Sequence, residues 1–187
     1  MGPRAAHASA LGRLLFMNLQ STDFEIFNLP QRFALDTAAL DDAWKALQRQ
    51  AHPDRHASDS AQQQRQAMQW SVRINEAYQR LKNPISRAAY LCELRGVAIR
   101  AEDNTAMPGA FLMQQMEWRE ALDEADDASA LDALSTTVRA AWRDWVQAIE
   151  RLDGAGDTAG MAQAVRALMF VQRFEQAIEK RHDELGQ

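Results

Sequence analysis

A short polar segment, Ala51-His52-Pro53-Asp54-Arg55-His56, separates two parts of the chain that have helical periodicity. Apolar side chains recur every three or four residues from Thr37 to Gln50 and again from Ala61 to Lys82, a spacing that places them on one face of a helix. Pro53 cannot donate a backbone hydrogen bond and disfavours helical geometry in the residue before it, so the first helix should end near Ala51 or His52. The sequence therefore predicts a helical hairpin whose tip presents an imidazole, a rigid ring and a carboxylate to solvent. The apolar positions are Leu40, Ala43, Trp44 and Leu47 in the first helix and Met68, Val72, Ile74, Ala77, Tyr78 and Leu81 in the second.

Short polar side chains mark where these helices should begin. Asp36 or Thr37 is expected to cap the first helix, because such side chains accept hydrogen bonds from the unpaired N–H groups of the first turn. Ser58 and Asp59 are expected to cap the second helix for the same reason. Pro84 should then open a further helix, since its fixed backbone angle suits a first turn.

The composition favours helices throughout. Ala, Leu, Gln, Glu and Arg are abundant and no alternating run of Val, Ile and Thr predicts a strand. With 187 residues, 47% of them hydrophobic and 25% charged, the chain can bury a core in one or two domains. We therefore expect an all-α protein.

The charge is distributed unevenly along the chain. Residues 21–100 carry 11 Lys and Arg against 9 Asp and Glu, whereas residues 101–187 carry 8 against 17, a net charge of −9. This asymmetry indicates two modules with different partners. No strongly basic domain favours nucleic acid, and no apolar run approaches the roughly 20 residues that cross a membrane. Cys92 is the only cysteine, which excludes an intrachain disulfide and a Cys-rich zinc site.

The second half of the chain predicts three helices, at approximately 108–126, 129–152 and 158–183. Two short polar segments, 126–129 and 153–157, separate them. Short loops place consecutive helices antiparallel, so we expect a three-helix bundle.

The first helix of this bundle has two apolar sides. At about 100° per residue, one side can dock on the other two helices, and a second stripe on the opposite side is apolar at its start and acidic further along. A core explains only one of the two, so the second indicates a docking surface for a basic partner. The alternative is that the apolar part packs against the first module. Both possibilities remain open for Leu112, whereas Met113 and Met116 are expected to be exposed. The docked side contains Phe111, Trp118, Leu122 and Ala125, and the second stripe contains Leu112, Met113, Met116, Glu117, Glu120 and Glu124.

Several segments in this order resemble the J-domain co-chaperones, which stimulate the ATPase of heat-shock chaperones. Among these proteins, the sequence most resembles the HscB type, the J-protein of bacterial iron–sulfur cluster assembly, because the resemblance continues beyond the J-domain to about Leu185. The matching segments are His52-Pro53-Asp54 between two helices, Asp23 to Pro30, Ile74 to Leu81, Asn83 to Leu91 and Phe111 to Glu124.

This resemblance implies two sets of binding residues. One set would contact an HscA-type ATPase chaperone, and the other would contact the iron–sulfur scaffold protein. The sequence departs from the family at Ala51, where an aromatic residue is usual, and at Arg55, where Lys is common; Trp44 or Tyr78 is a candidate to fill the lost volume. The implied chaperone-binding residues are Lys45, Arg49, His52, Pro53, Asp54 and Arg55, and the implied scaffold-binding residues are Leu112, Met113, Met116, Glu117, Glu120, Glu124 and Phe170.

The resemblance also divides the chain into domains. We expect a disordered extension at 1–20, a J-domain at 21–99, a linker at 100–107 and the scaffold-binding three-helix bundle at 108–187. The expected function is that of a cytoplasmic co-chaperone that is not itself an enzyme, delivers the scaffold protein to its chaperone and needs no cofactor or metal.

Two alternatives remain at this point. A J-protein that serves a different client on a DnaK-type chaperone would share the J-domain residues and differ only in what docks on the bundle. A metal-dependent hydrolase could use His52, Asp54 and His56, whose alternate spacing in an extended segment can hold a metal. No further ligand motif accompanies those three residues, which makes the hydrolase the weaker alternative.

Overall fold

The computed structural model describes residues 18–52, 54, 59–99 and 107–186, and every regular element in these ranges is a helix. The all-α prediction is confirmed. The helices are α1 (Asp23–Ile26), α2 (Thr37–Ala51), α3 (Ala61–Lys82), α4 (Pro84–Leu94), α5 (Gly109–Asp123), α6 (Ala128–Gly154) and α7 (Thr158–Leu185).

Side-chain caps begin the helices of the hairpin. Asp36 accepts hydrogen bonds from the backbone N–H groups of Ala38 and Ala39 at 3.0 and 3.1 Å, as predicted for the start of α2. The cap of α3 is Ser60, which forms a reciprocal capping box with Gln63. The sequence analysis expected Ser58 and Asp59 to cap this helix, which is one or two residues too early. The cap forms where the chain passes from an extended into a helical conformation, and that point is not fixed by residue type alone.

The chain divides between Ser86 and Arg87 into two compact units. In the first unit, α2 and α3 pack as the predicted hairpin and α1 packs on α3. Asp23 at the start of α1 is fully buried and receives hydrogen bonds from Arg73 at 2.6 Å and from Arg80 at 3.0 Å. Two guanidinium groups on one helix thereby hold the short α1 in place.

The buried face of α3 differs from the predicted one in its first half. Met68 and Val72 are 59% and 54% exposed, whereas Ala67 and Trp70 are buried. At about 100° per residue, Ala67 and Trp70 lie within roughly 40° of the fully buried Ile74, while Met68 and Val72 lie more than about 100° away. Met68 and Val72 do share one face of α3, because they are four residues apart, but that face is exposed rather than buried.

In the second unit, α5, α6 and α7 form the predicted three-helix bundle, and α6 and α7 make its most extensive helix pair. The turn between α6 and α7 contains Gly156 with a φ of +72°, a conformation that favours glycine. The bundle core consists of Phe111, Trp118, Ala125, Leu131, Leu134, Val138, Ala141, Ala167, Val171, Phe174 and Ile178.

The division at Ser86 and Arg87 lies inside α4, ahead of the boundary at 99 that the resemblance predicts. Contacts of the second half of α4 account for this. Arg95, just past the end of α4, donates a 2.6 Å hydrogen bond to the nearly buried Asp153 at the end of α6. The buried Cys92 lies 4.0 Å from the backbone oxygen of Thr158 at the start of α7.

Other predicted boundaries fall partly outside the described residues. Within the segment 1–20, the structure describes 18–20, which form a turn whose Leu19 carbonyl accepts a hydrogen bond from Arg73. Within the predicted linker, it describes only Met107, which packs against the bundle core. In the described residues, no helix is both long and apolar enough to cross a membrane.

Candidate partner-binding sites

The end of α2 carries an exposed imidazole and carboxylate. His52 is the C-cap residue of α2, and its ψ of 126° turns the chain out of the helix. The backbone N–H of Asp54 donates to His52 Nδ1 at 3.3 Å, and the Asp54 carboxylate lies 3.7 Å from the same nitrogen. The side chains are 56% and 88% exposed, so both can contact a partner. Pro53 and Arg55, which the resemblance places in the same site, lie outside the described residues.

A basic strip leads along α2 to this tip. Lys45 and Arg49 are four residues apart and both are exposed, so they share one face of the helix. Lys45 lies 3.8 Å from Asp42, a pair whose side chains are both largely exposed. Such a surface pair contributes little to stability, which leaves the ammonium group available to a partner.

Polar contacts that the sequence analysis missed hold the last turns of α2 against α3. Asn75 Oδ1 accepts hydrogen bonds from Trp44 Nε1 at 2.9 Å and from Gln48 Nε2 at 2.6 Å. Gln48 also bonds Ser71 on the preceding turn of α3. Trp44 stacks on Tyr78, with ring centroids 4.6 Å apart. These contacts lie one to two turns before the fully buried Ala51 and fix the direction in which α2 ends.

A second interhelical cluster supports the other end of the hairpin. Tyr78 donates to Asp41 at 2.9 Å, and Lys82 donates to the same carboxylate at 3.1 Å. The hydrogen bond from Tyr78, with that from Lys82, lowers the pKa of Asp41 below its usual value. The hydrogen bonds with Tyr78 and Asp41 raise the pKa of Lys82. The carboxylate and the ammonium therefore both stay charged through the neutral range.

The second stripe of α5 is exposed. Leu112, Met113 and Met116 are 43%, 65% and 72% exposed. The carboxylates of Glu117, Glu120 and Glu124 continue it toward the end of the helix, and all three residues are exposed. We call these six residues the acidic stripe. On the opposite side of α5, Phe111 and Trp118 are buried and Leu122 is partly buried in the bundle core, as predicted. Ala125, which lies just past the end of the helix, is buried in the same core.

Phe170 on α7 is placed differently from the acidic stripe. Its ring packs edge-on against Phe111 with a centroid distance of 5.7 Å and stacks near Phe174 at 6.1 Å. Phe170 is therefore partly buried against the bundle core, and only the exposed part of its ring is available to a partner.

The described residues contain no group of three His, Cys, Asp or Glu side chains that could hold a metal ion. His56, the third residue of the alternative metal site, lies outside the described residues. Cys92 is buried, and desolvation raises the pKa of its thiol to about 11. At neutral pH it is a thiol, which fits a small apolar core residue better than a ligand.

The fold is a helical hairpin with an exposed imidazole and carboxylate at its tip, followed by a three-helix bundle with an exposed helix face. This arrangement is typical of J-domain co-chaperones that carry a helical C-terminal domain. A family model described as "HSCB C-terminal oligomerisation domain" matches residues 107–179. The co-chaperone HscB homolog of Burkholderia vietnamiensis is 50% identical over 160 residues, covering 84% of this chain and 91% of that protein.

Solved structures agree with this classification. Chaperone HscB from Vibrio cholerae is 36% identical with a TM-score of 0.76, covering 88% of this chain and 99% of that one. Human co-chaperone protein HscB is 25% identical with a TM-score of 0.83, covering 88% and 83%. The chain belongs to the HscB family of co-chaperones. The prediction of a co-chaperone in iron–sulfur cluster assembly is confirmed, and the names of these relatives denote a co-chaperone rather than an enzyme.

Proposed function

We propose that the protein stimulates the ATPase of an HscA-type chaperone with its hairpin and delivers the iron–sulfur scaffold protein to that chaperone with its bundle. The observation that carries the proposal is the two-sided α5 helix, whose apolar side is buried while a second apolar and acidic side is open to solvent. A bundle needs only the first side for stability, so the acidic stripe has a separate role.

The chaperone-binding end consists of the loop and the strip that leads to it. Lys45, Arg49 and Arg55 supply positive charge for an acidic chaperone surface, and His52, Pro53 and Asp54 are the residues that contact it at the end of the strip. Hydrolysis takes place on the partner. The hairpin accelerates it by binding the hydrolysis-competent conformation of the ATP-bound chaperone more tightly than the other conformation, which shifts the equilibrium between them.

The scaffold-binding end consists of the acidic stripe and the outer edge of Phe170. Leu112, Met113 and Met116 contribute apolar area, and the unbranched Met side chains adapt to the shape of the partner. Glu117, Glu120 and Glu124 select a basic surface and speed its approach.

One chain that holds both partners makes their encounter effectively intramolecular, and the local concentration of scaffold at the chaperone rises accordingly. We also propose that this takes place in the cytoplasm. A different client on a DnaK-type chaperone would leave the hairpin's role unchanged and replace only the partner of the acidic stripe.

The test is the steady-state ATPase rate of an HscA-type chaperone with this protein alone, with the scaffold protein alone and with both. We expect stimulation by this protein, and a larger stimulation when scaffold is added. Stimulation that scaffold does not change would assign the acidic stripe to another client. The absence of any stimulation would contradict the role of the hairpin.

A further inference from the structure

Two neighbouring apolar side chains on α3 lie outside the core of the first unit. In the described residues of that unit, the exposed large hydrophobic side chains are Leu19, Met68 and Val72. Met68 and Val72 are four residues apart, so they lie next to each other on one face of α3. Single exposed apolar side chains are ordinary, whereas an adjacent pair beside a proposed binding surface indicates a contact. We call Met68 and Val72 the apolar pair.

The apolar pair borders the polar contacts that join α2 to α3. On α3 these contacts are made by Ser71 and Asn75, which both form hydrogen bonds with Gln48 of α2. Met68 precedes Ser71 by three residues and Val72 precedes Asn75 by three. Each is therefore rotated by about 60° from its contact residue, in the direction away from the buried face of α3. The apolar pair thus lies on the outer face of the hairpin.

The basic strip of α2 borders the same contacts from the other side. Lys45 directly follows Trp44, and Arg49 directly follows Gln48, so each is rotated by about 100° from a residue that contacts α3. This rotation also points away from the core, where Leu40 is fully buried. The basic strip and the apolar pair therefore share the outer face, with the polar contacts between them.

The pairing of the two helices brings Met68 close to the loop. α2 and α3 run antiparallel with Gln48 opposite Ser71. His52 comes about one turn after Gln48, and Met68 comes about one turn before Ser71, so the two lie at a similar height along the hairpin. A partner that reaches His52 and the basic strip therefore also comes within reach of the apolar pair.

The charges on the outer face divide along its length. Arg49 and Arg65 are exposed in the half near the loop, whereas Asp42 and Glu76 are exposed toward the other end. The half near the loop thus combines exposed apolar side chains with cations on both helices. Its chemistry complements a surface on which carboxylates border apolar side chains.

We propose that the apolar pair is a second part of the chaperone-binding site and contacts an apolar patch, bordered by carboxylates, on the ATPase chaperone. This inference rests on the proposed function, since the apolar pair and the basic strip then bind the same partner. Burial of the apolar pair stabilises the complex in a way that salt does not screen. The charge pairs of the basic strip, by contrast, weaken as salt is raised.

The steady-state ATPase rate of an HscA-type chaperone, titrated with the full chain, tests this contact. Met68→Gln with Val72→Thr should raise the concentration needed for half-maximal stimulation about tenfold, because both apolar side chains leave the interface. The melting temperature should stay the same, since both residues are exposed. Leu19→Gln is the matched control, because it removes an exposed apolar side chain on the side of α3 that carries Arg73. It should leave the titration unchanged.

Repeating the titration at low and high salt separates the apolar contact from the charges. The loss caused by Met68→Gln with Val72→Thr should be about the same fold at both salt concentrations. The loss caused by Lys45→Gln with Arg49→Gln should shrink as salt rises. A loss in the apolar variant that disappears at high salt would contradict an apolar contact.

The remaining outcomes distinguish this inference from the proposed function. A wild type that stimulates the chaperone, with an apolar variant that stimulates equally well, would overturn the inference alone. A wild type that does not stimulate at all would overturn the role of the hairpin and the inference with it. Scaffold binding and the sedimentation mass should be the same in the apolar variant as in the wild type. A change in either of them, with normal stimulation, would assign the apolar pair to the scaffold or to a second copy instead and overturn the inference.

Discussion

His52 is the residue on which the chaperone-binding end depends most directly. In the described part of the chain, its ring accepts a hydrogen bond from the backbone N–H of Asp54, and the side chain is mostly exposed at the end of α2. Ala51 before it is buried, so the backbone is anchored one residue away from an exposed functional group. A substitution at His52 can therefore remove a contact with a partner without removing anything from the core.

Replacing His52 with Gln should abolish stimulation of the chaperone ATPase and leave scaffold binding and the melting temperature unchanged. Gln keeps a polar side chain but places its polar atoms differently and lacks the imidazole ring. Steady-state ATPase rates and calorimetric scaffold titrations measure the two ends separately. Retention of full stimulation would show that the loop is not the contact.

Asp23 is a residue of the opposite kind, because it is fully buried and acts on stability. Asp23→Asn removes the charge between Arg73 and Arg80 and should cost roughly 2 kcal/mol, since one hydrogen bond can survive and both guanidinium groups remain partly solvated. Urea unfolding monitored by circular dichroism measures the free energy of unfolding. Asp59→Asn, at a partly exposed position before α3, is the matched control and should cost much less. Equal stability of Asp23→Asn and the wild type would show that the two ion pairs contribute nothing.

Among the helices, α3 positions the end of α2, and with it the loop, through side-chain contacts between the two helices. Asn75 is the acceptor that Trp44 and Gln48 share, and it lies on the helix that does not carry the loop. The direction in which α2 ends is thus set by a side chain that no partner needs to touch.

Asn75→Ala should raise the concentration of protein needed for half-maximal ATPase stimulation several-fold, with a loss of about 1 kcal/mol in stability. Asn75→Asp keeps an acceptor oxygen and should restore near-normal stimulation, and Glu76→Ala at the next, exposed position should have no effect. An Asn75→Ala variant that stimulates like the wild type would show that the loop holds its direction without this contact.

The α5 helix divides its residues between stability and binding. Met113→Ala with Met116→Ala should weaken scaffold binding about tenfold or more while the melting temperature stays the same, because both side chains are mostly exposed. Trp118→Ala, on the buried side, should instead lower stability by about 3 kcal/mol or more. A melting temperature lowered by the Met variant would place these residues in a core.

The two units of the molecule carry surfaces of opposite charge, a basic strip on the hairpin and an acidic stripe on the bundle. Association with both partners should slow as salt is raised, because each encounter is steered by charge. Stopped-flow measurement of the two association rates tests this. Lys45→Gln with Arg49→Gln should reduce the salt dependence for the chaperone alone, and rates that salt does not change would contradict charge steering.

The sequence was enough to identify the helices, the hairpin, the bundle and the exposed side of α5. Each of these follows from local periodicity, from proline geometry or from short loops, which act within a few turns of chain. It was also enough to separate Phe111 and Trp118 from Met113 and Met116, since four residues on one helix have fixed relative directions.

Only the tertiary structure decided which face of α3 is buried, how Asn75 joins Trp44 to Gln48, and that Asp153 binds Arg95. It also decided that the ring of Phe170 packs partly buried against Phe111 at the edge of the bundle core. These features join side chains that lie tens of residues apart. Their meeting depends on how whole helices pack, which no periodicity within a single helix can report.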